Sequence, residues 1–295
     1  VAVNLSVIVP CRGHAAELEV CLSSLVGQNT SVKYEVLVVY CSQELDVDLV
    51  VKKFPSVLPV VSETFLLPGE ARNEGARRAR AEYFAFIDAD CWVDPNWVTF
   101  AFETMQTGVV LCGGAILDLH PWDWIASADN RLQFADFSPG RPYGMASYLP
   151  APNIVVRKDT FWDNGGFSVH PVAQDVVLTT SIAIAWPQKT VFNPKMQVRH
   201  FGRSAWKEYL RHQKSFGFAR AQTQVQVNPT MAWLAERPLL GWVVFFRRLL
   251  YISFRVIQWN FWDIPRYILQ LPVLLVGLAY WLNGFCQKSS DRMQG

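Results

Sequence analysis

The sequence predicts an α/β domain, a mostly parallel sheet flanked by helices, followed by an apolar and amphipathic helical tail. Three observations predict it. Short β-branched runs alternate with stretches whose apolar residues fall at helical spacing, which is the rhythm of β-α-β units with right-handed crossovers. One run, Ala81 to Ile87, ends abruptly in two acids, Asp88 and Asp90, at what would be the C-terminal rim of that sheet. The charge also changes near residue 200: residues 1–199 hold 15 Lys/Arg and 21 Asp/Glu, and residues 200–295 hold 12 and 4. Two regions are expected, 1–200 as the α/β domain and 201–295 as a basic, membrane-associating helical region.

The elements follow in order. Leu5 to Pro10 reads as the first strand, and Leu18, Cys21, Leu22 and Leu25 trace a helix face behind it. Tyr34 to Val39 is a second strand, Val47 to Phe54 a short helix, and Val57 to Val61 a third strand. Pro68-Gly69 introduces a helix over Glu70 to Arg80, and the strand bearing Asp88 and Asp90 comes next. Asp94-Pro95 reads as N-cap and N1 of a helix towards Gln106, and Val109 to Leu117 as a strand interrupted by Gly113-Gly114. Residues 118–150 break the rhythm as a long irregular insertion rich in Trp, Pro and Gly. Its Trp122 and Trp124 suit an acceptor-facing loop or the buried side of a surface hairpin. Asn153 to Val156 is a strand, Gly165-Gly166-Phe167 a turn, Gln174-Asp175 a helix start and Phe192 to His200 an edge strand. Ser204 is placed to cap a helix that carries Lys207, Arg211 and Lys214, with a bend at Gly217-Phe218.

Composition narrows the function. Hydrophobic residues make up 51% and aromatics 14%, which argues against disorder and suits contact with a membrane. The six cysteines, Cys11, Cys21, Cys41, Cys91, Cys112 and Cys286, show neither zinc-ligand spacing nor a disulfide framework, so a reducing compartment is expected. The chain opens on a strand, with no charged-then-apolar leader in view, so no signal peptide is expected. By the positive-inside tendency the basic tail is expected to keep the catalytic domain cytoplasmic. The basic tail is apolar enough to favour an anionic membrane over nucleic acid as its partner.

Two oxygen-rich acids two residues apart suit Mg²⁺ or Mn²⁺ carrying a substrate diphosphate, or else they only punctuate a turn. Taken with four other runs, they say more. Ser6-Val7-Ile8-Val9-Pro10-Cys11-Arg12, Gly69-Glu70-Ala71-Arg72-Asn73-Glu74-Gly75-Ala76, Phe86-Ile87-Asp88-Ala89-Asp90, Gly165-Gly166-Phe167 and Gln174-Asp175, in this order, resemble family 2 glycosyltransferases of the GT-A fold, membrane-associated bacterial members included. The resemblance spans roughly residues 4 to 220. It implies inverting transfer of one sugar from a nucleotide-sugar donor to a hydroxyl of a lipid or lipid-linked glycan. Asp175 matches the family's catalytic base. Pro10, Arg12, Arg72, Asn73, Asp88, Asp90 and Asn153 match its donor-contacting positions, and Asp90 with His200 its metal site.

The chain also departs from the family pattern. Tyr40-Cys41-Ser42 stands where an acid usually holds the base or ribose, Gly13-His14 replaces Asn-Glu, and Gln174 replaces the first acid of the base pair. No Gln-x-x-Arg-Trp run is present, which in this family implies a non-processive enzyme. The altered second-strand end leaves open a decayed, scaffold-like relative. A nucleotidyltransferase fits poorly, since Pro10-Cys11-Arg12-Gly13-His14-Ala15 lacks the Gly-rich basic loop such enzymes carry there.

In the tail, Ile268 to Phe285 is uncharged and as a helix would reach about 27 Å, just enough to cross a bilayer or else to lie along it. Leu239 to Trp262 is interrupted by Arg247, Arg248 and Arg255. It reads as an interfacial amphipathic helix with a basic stripe, Trp259 and Trp262 sitting near headgroups.

Overall fold

A computed structural model describes residues 3–169, 173–227 and 240–291. The chain forms two compact units, Val1–Leu119 with Arg141–Phe201, and His120–Gly140 with Gly202–Gly295. Leu239, read as the start of the amphipathic run, lies outside the described residues.

The first unit begins with the expected alternation of β1 (Leu5–Pro10), α1 (Ala15–Val26), β2 (Tyr34–Cys41), α2 (Leu45–Lys52), β3 (Val57–Ser62), α3 (Pro68–Arg78) and β4 (Tyr83–Phe86). β1 and β4 are covered on both faces, so they carry continuous apolar runs and no alternation. Strands β3, β2, β1 and β4 lie side by side and parallel, which brings their C-terminal ends to one rim. Helix α3 packs close on this part of the sheet. A side chain at Gly75 would meet Ile8 Cγ2 at 2.4 Å and Val39 Cγ2 at 3.0 Å, so the glycine lets the helix sit against the strands one turn after Arg72 and Asn73.

Beyond β4 the sheet becomes mixed. It continues with β5 (Cys91–Val93), α4 (Trp97–Gln106), β6 (Leu111–Asp118) and β7 (Gly144–Met145). β8 (Ile154–Arg157), α6 (Lys158–Asp163), α7 (Gln174–Ala185) and β9 (Thr190–His200) complete the unit, α5 (Trp124–Phe134) belonging to the second one. The order is β3-β2-β1-β4-β8-β6-β9-β5, with β7 also on β9. β8 is antiparallel to β4 and β6, whereas β6 and β9 are parallel. The reading of Phe192 to His200 as an edge strand is therefore corrected, because β5 and β7 pair along the side of β9 that β6 leaves open. In β9 the pairing to β6 steps from Asn193 to Gln197 while β6 advances only from Gly114 to Ala115, a bulge of three residues. Helix α4 starts after Asn96, not Asp94; the Asp94 side chain instead accepts the Asn96 N–H at 3.0 Å.

The insertion at 118–150 is not wholly irregular. Asp123 accepts the N–H groups of Ile125 and Ala126, both at 3.0 Å, and caps α5. With α5, the second unit contains α8 (Trp206–Val227), α9 (Gly241–Trp259) and α10 (Ile264–Asp291). α8 runs unbroken through Gly217.

At the centre of this unit the Asp129 carboxylate is wholly buried. It faces Arg203 Nη1 at 3.1 Å and His212 Nδ1 at 3.0 Å, and accepts Gln213 Nε2–H at 2.7 Å. Burial pushes its pKa up, but the His212 and Arg203 charges and the Gln213 hydrogen bond outweigh it and hold the group below the usual carboxylate range. A depressed carboxyl contributes stability above its unfolded value, ~3.9, and that contribution is lost as the pH falls through the folded value. Asp129→Ala is expected to cost about 3 kcal/mol by urea unfolding at neutral pH and to flatten the acid limb of the stability profile.

Candidate active site

The C-terminal rim of the parallel strands carries two polar clusters. The first is built by α3. Arg72 Nη2 meets Asp88 Oδ1 at 2.5 Å, its guanidinium lying 5.3 Å from the centre of the Phe167 ring. Arg72 is nearly buried while Asp88 is about one quarter exposed, so the pair closes the floor of a crevice. Arg72 Nε is buried and has no partner among the described residues.

Asn73, one residue on and about 100° round the helix, reaches the backbone of the same Phe167. Its amide donates to Phe167 O at 2.7 Å and accepts Phe167 N–H at 2.9 Å. That clamp holds the Gly165-Gly166-Phe167 turn, left-handed at both glycines, against α3. The start of α3 also touches the start of α7, where a side chain at Gly69 would meet Ser168 O at 2.7 Å and Gln174 Oε1 at 2.8 Å. Asp175 follows Gln174. Its Oδ2 accepts Ala151 N–H at 3.1 Å and its Oδ1 accepts Val176 N–H at 2.9 Å, while the carboxylate stays partly exposed.

The second cluster is made by strand register. Cys91 pairs with His200 across β5 and β9, and Phe201 N–H binds Asp90 O at 3.0 Å. His200 Nε2 thereby stands 3.3 Å from Asp90 Oδ2. Among the described residues no three His, Cys, Asp or Glu side chains gather as a metal site. Asp90 and His200 bring a carboxylate and an imidazole together, donor types that can bind a divalent cation. The surrounding field favours a cation. Burial first, and then Asp90 and Asp88 among other charges, pushes the Cys21 and Cys91 thiols well up. Burial, with Glu44, Asp46 and Asp90, pushes Cys11 up to about 12. The thiols behind the acids therefore stay neutral and leave the carboxylates their charge.

Beside Pro10, at the ends of β1 to β3, is a shallow depression lined by Cys11, Arg12, Tyr40, Glu44, Phe65 and Ala71. Arg12 is exposed and lies over the Phe65 ring, 5.1 Å from its centre. Glu44 escaped the sequence reading. Its carboxylate accepts the N–H of Gly13 and, at 2.9 Å, that of Cys41, tying the β1–α1 loop to the end of β2. An acid just before a helix and three residues past a strand was the available signal. Tyr40, in the segment that departs from the family pattern, gives its hydroxyl to Asp48 Oδ1 at 2.8 Å.

The family model for Glycosyl transferase family 2 matches residues 6–159, just over half of the chain. The chain belongs to glycosyl transferase family 2. This family 2 chain is 27% identical over 177 residues to glycosyltransferase AglE of Haloferax volcanii, an alignment covering 57% of each protein. It is 30% identical over 106 residues to chondroitin synthase of Escherichia coli, 35% of this chain and 16% of that one. It thus spans little more than half of the first of these curated relatives and a small part of the second. In fold it resembles the mannosyltransferase PcManGT from Pyrobaculum calidifontis, solved in complex with GDP-Man and Mn2+, with a TM-score of 0.59. That match covers 98% of this chain and 88% of the other at 14% identity, and it makes the first unit's mixed sheet a GT-A-like one.

The structure commits some expected site residues of this family 2 chain to internal contacts and leaves others exposed. Asn153, expected at the donor, is fully buried and saturated. It accepts Trp97 Nε1–H at 2.8 Å and donates to Ala115 O and Met196 O at 3.0 and 2.8 Å, so it braces the sheet beneath the rim. The Asn73 amide is likewise committed to Phe167. Trp122 and Trp124 lie in the second unit, largely exposed, with Trp124 opening α5. Of the expected basic stripe on α9, only Arg247 is exposed. Arg248 turns inward to Leu132 O at 2.6 Å and lies over Trp281. Arg255 pairs with Asp136 at 2.8 Å and stacks on Trp259. The stripe fails because Asp136 and the buried carbonyl of Leu132 compete with solvent for those guanidinium groups. Trp262 is 93% exposed.

Replacing Asn73 with Ala should release the Phe167 turn. Two buried hydrogen bonds at about 1 kcal/mol each set the expected loss at about 2 kcal/mol, measured by chemical denaturation, with faster amide exchange at Phe167.

Proposed function

We propose that the chain transfers one sugar from a nucleotide-sugar donor to a hydroxyl of a lipid or lipid-linked acceptor, with inversion at the anomeric carbon. The observation that carries this reading is the convergence on one rim of Arg72–Asp88, Asp90–His200 and, through the contact of Gly69 with Gln174, the start of the helix that bears Asp175.

Asp175 is the general base. It takes the proton of the acceptor hydroxyl as that oxygen bonds to the anomeric carbon, while the bond from that carbon to the diphosphate breaks on the opposite face. Ala151 N–H orients its carboxylate without occupying all of its lone pairs. Asp90 and His200 would hold Mg²⁺ or Mn²⁺, which supplies charge neutralisation for the departing diphosphate. Arg72, neutralising Asp88, keeps the rim from repelling that anion. Pro10, Arg12 and the depression beside them take the nucleoside, Arg12 and Phe65 offering a flat stacking surface. GDP-Man, bound by the Pyrobaculum mannosyltransferase, is the first donor to try.

The sequence holds no Gln-x-x-Arg-Trp run, in keeping with one sugar per encounter. A lipid acceptor suits a chain whose α10 region, Phe261–Gln287, is long and apolar enough to meet a bilayer. The basic excess after residue 200 favours association with a cytoplasmic leaflet, the catalytic unit staying in the cytoplasm.

Asp175→Asn should leave donor binding intact and lower turnover by at least about a hundredfold, since base assistance typically contributes 10² to 10⁴; near-normal turnover removes the assignment. Calorimetry of a nucleoside diphosphate with and without Mn²⁺ tests the cation site. Metal-dependent binding that Asp90→Ala abolishes is expected, and metal-independent binding unchanged in that variant defeats the role.

A further inference from the structure

The second unit buries an apolar core that includes Leu132, Tyr209, Phe245, Ile252, Leu274 and Leu278. Its interior holds the Asp129 cluster and a second polar network, in which Arg131 meets Asp263 at 2.6 Å and Gln270 at 3.2 Å, and Arg266 meets Asp263 at 2.7 Å. One face of its surface is apolar. On α9, Gly241, Val244, Phe245, Ile252 and Val256 are buried. Trp242, Val243, Phe246, Leu250, Phe254 and Ile257 are 54 to 68% exposed. At ~100° per residue these six fall within an arc of about 120°. The stripe is roughly 22 Å long at ~1.5 Å per residue, and Phe261 and Trp262, 62 and 93% exposed, follow it in the chain. A continuous apolar face of this length marks an interaction site.

We propose that α9 lies flat in the headgroup region of one leaflet of an anionic bilayer, and that α10 does not cross that bilayer. The inference rests on the membrane association proposed above and adds its mode. Its partner is argued from composition and charge. The stripe and its continuation hold Trp242, Phe246, Phe254, Phe261 and Trp262, the aromatic content of a membrane interface. Arg247 flanks it, exposed, and residues 200–295 carry 12 basic against 4 acidic side chains.

The second half follows from what α10 packs against. Tyr267, Gln270, Leu274, Leu278, Trp281 and Phe285 are its buried face, and α8 runs beside it. The two helices approach so closely that a side chain at Gly217 would meet Trp281 O at 1.8 Å, and one at Gly284 would meet Lys214 O at 1.9 Å. Tyr209 hydroxyl donates to Val273 O at 3.0 Å. Along this same stretch α8 carries Arg211, Lys214 and Arg220. If α10 spanned the bilayer, it would carry these three cations and the buried Arg131–Asp263–Gln270 network with it, and hydrocarbon does not solvate such groups. Length and apolarity alone make α10 resemble a span, whereas its neighbours hold it at the surface.

The test uses the intact chain. Flotation on vesicles containing an anionic phospholipid should be clear, and weaker on purely zwitterionic ones. The double variant Phe246→Glu, Leu250→Glu should lower partitioning at least about tenfold, with an unchanged thermal melt because both positions are exposed, while Leu49→Glu on α2 leaves it unchanged. Failure of the intact chain to float removes the membrane reading itself. Flotation of the double variant at the unsubstituted level removes only the α9 contact, as does a shift of that variant from dimer to monomer by sedimentation with flotation preserved. Equal flotation on both lipids removes the anionic preference. For α10, Lys207→Cys and Gln287→Cys, both exposed, are treated with a membrane-impermeant maleimide in inside-out vesicles from expressing cells. Equal labelling is expected. Protection of the Gln287→Cys variant until detergent is added means that α10 crosses, which overturns the proposal. Nucleotide binding in solution is measured separately and is indifferent to either outcome, so the chemistry of the rim stands or falls on its own.

Discussion

The ion pair between Arg72 and Asp88 is the contact on which the rest of the rim depends. Two carboxylates two residues apart repel one another at the end of a strand, and a parallel sheet offers no backbone partner there to relieve them. Arg72 neutralises one, and it does so from a helix that packs flush on β1 and β2. Because the same helix presents Asn73 to the Phe167 turn and Gly69 to the start of α7, the position of Asp88 and that of the Asp175 helix are set by a single rigid element. Charge neutralisation and geometry are thus supplied together.

The division of labour between the two acids follows from this. Asp88 is occupied by the Arg72 cation, whereas Asp90 stands beside the His200 imidazole. The thiols of Cys11, Cys21 and Cys91 fill the space around the pair without competing for charge, since burial keeps them protonated. Family 2 membership agrees with such a rim, although this chain keeps its own arrangement at the end of β2. There Glu44, the residue just before α2, supplies an acid that the Tyr40-Cys41-Ser42 segment lacks, and uses it to tie the β1–α1 loop to the end of β2.

Much of this was legible in the sequence where the signal is local. β1 to β4 are continuous apolar runs, α1 and α3 show helical spacing, and the Asp pair stands at a strand end in plain view. Elements made by pairing were not legible. β5 is three residues long and exists because β9 lies beside it, and β9 is interior because two short strands, neither detectable alone, cover its outer side. Side-chain commitments were hidden for a related reason. Asn153 and Asn73 look like ligand-facing polar residues until the backbone groups that engage them are known. On α9 the helical period was read correctly, but periodicity fixes which residues share a face and not what that face meets. Asp136, more than a hundred residues upstream, decides that Arg255 turns inward.

The bulge in β9 separates two jobs that a regular strand would have to perform in one register. Thr190 to Asn193 align with the first half of β6, Gln197 to His200 with the second half and with β5, and Pro194, Lys195 and Met196 take up the slack between them. Met196 is buried and its carbonyl accepts from Asn153, so within that slack only Pro194 and Lys195 can take a length change, which would shift the far half of the strand. Evolution therefore has a place at which to slide the histidine relative to Asp90, or to trade it for another side chain at the same height, at little risk to the remainder of the sheet. Between related chains, insertions and deletions are expected at Pro194 and Lys195 sooner than point changes in the strands on either side.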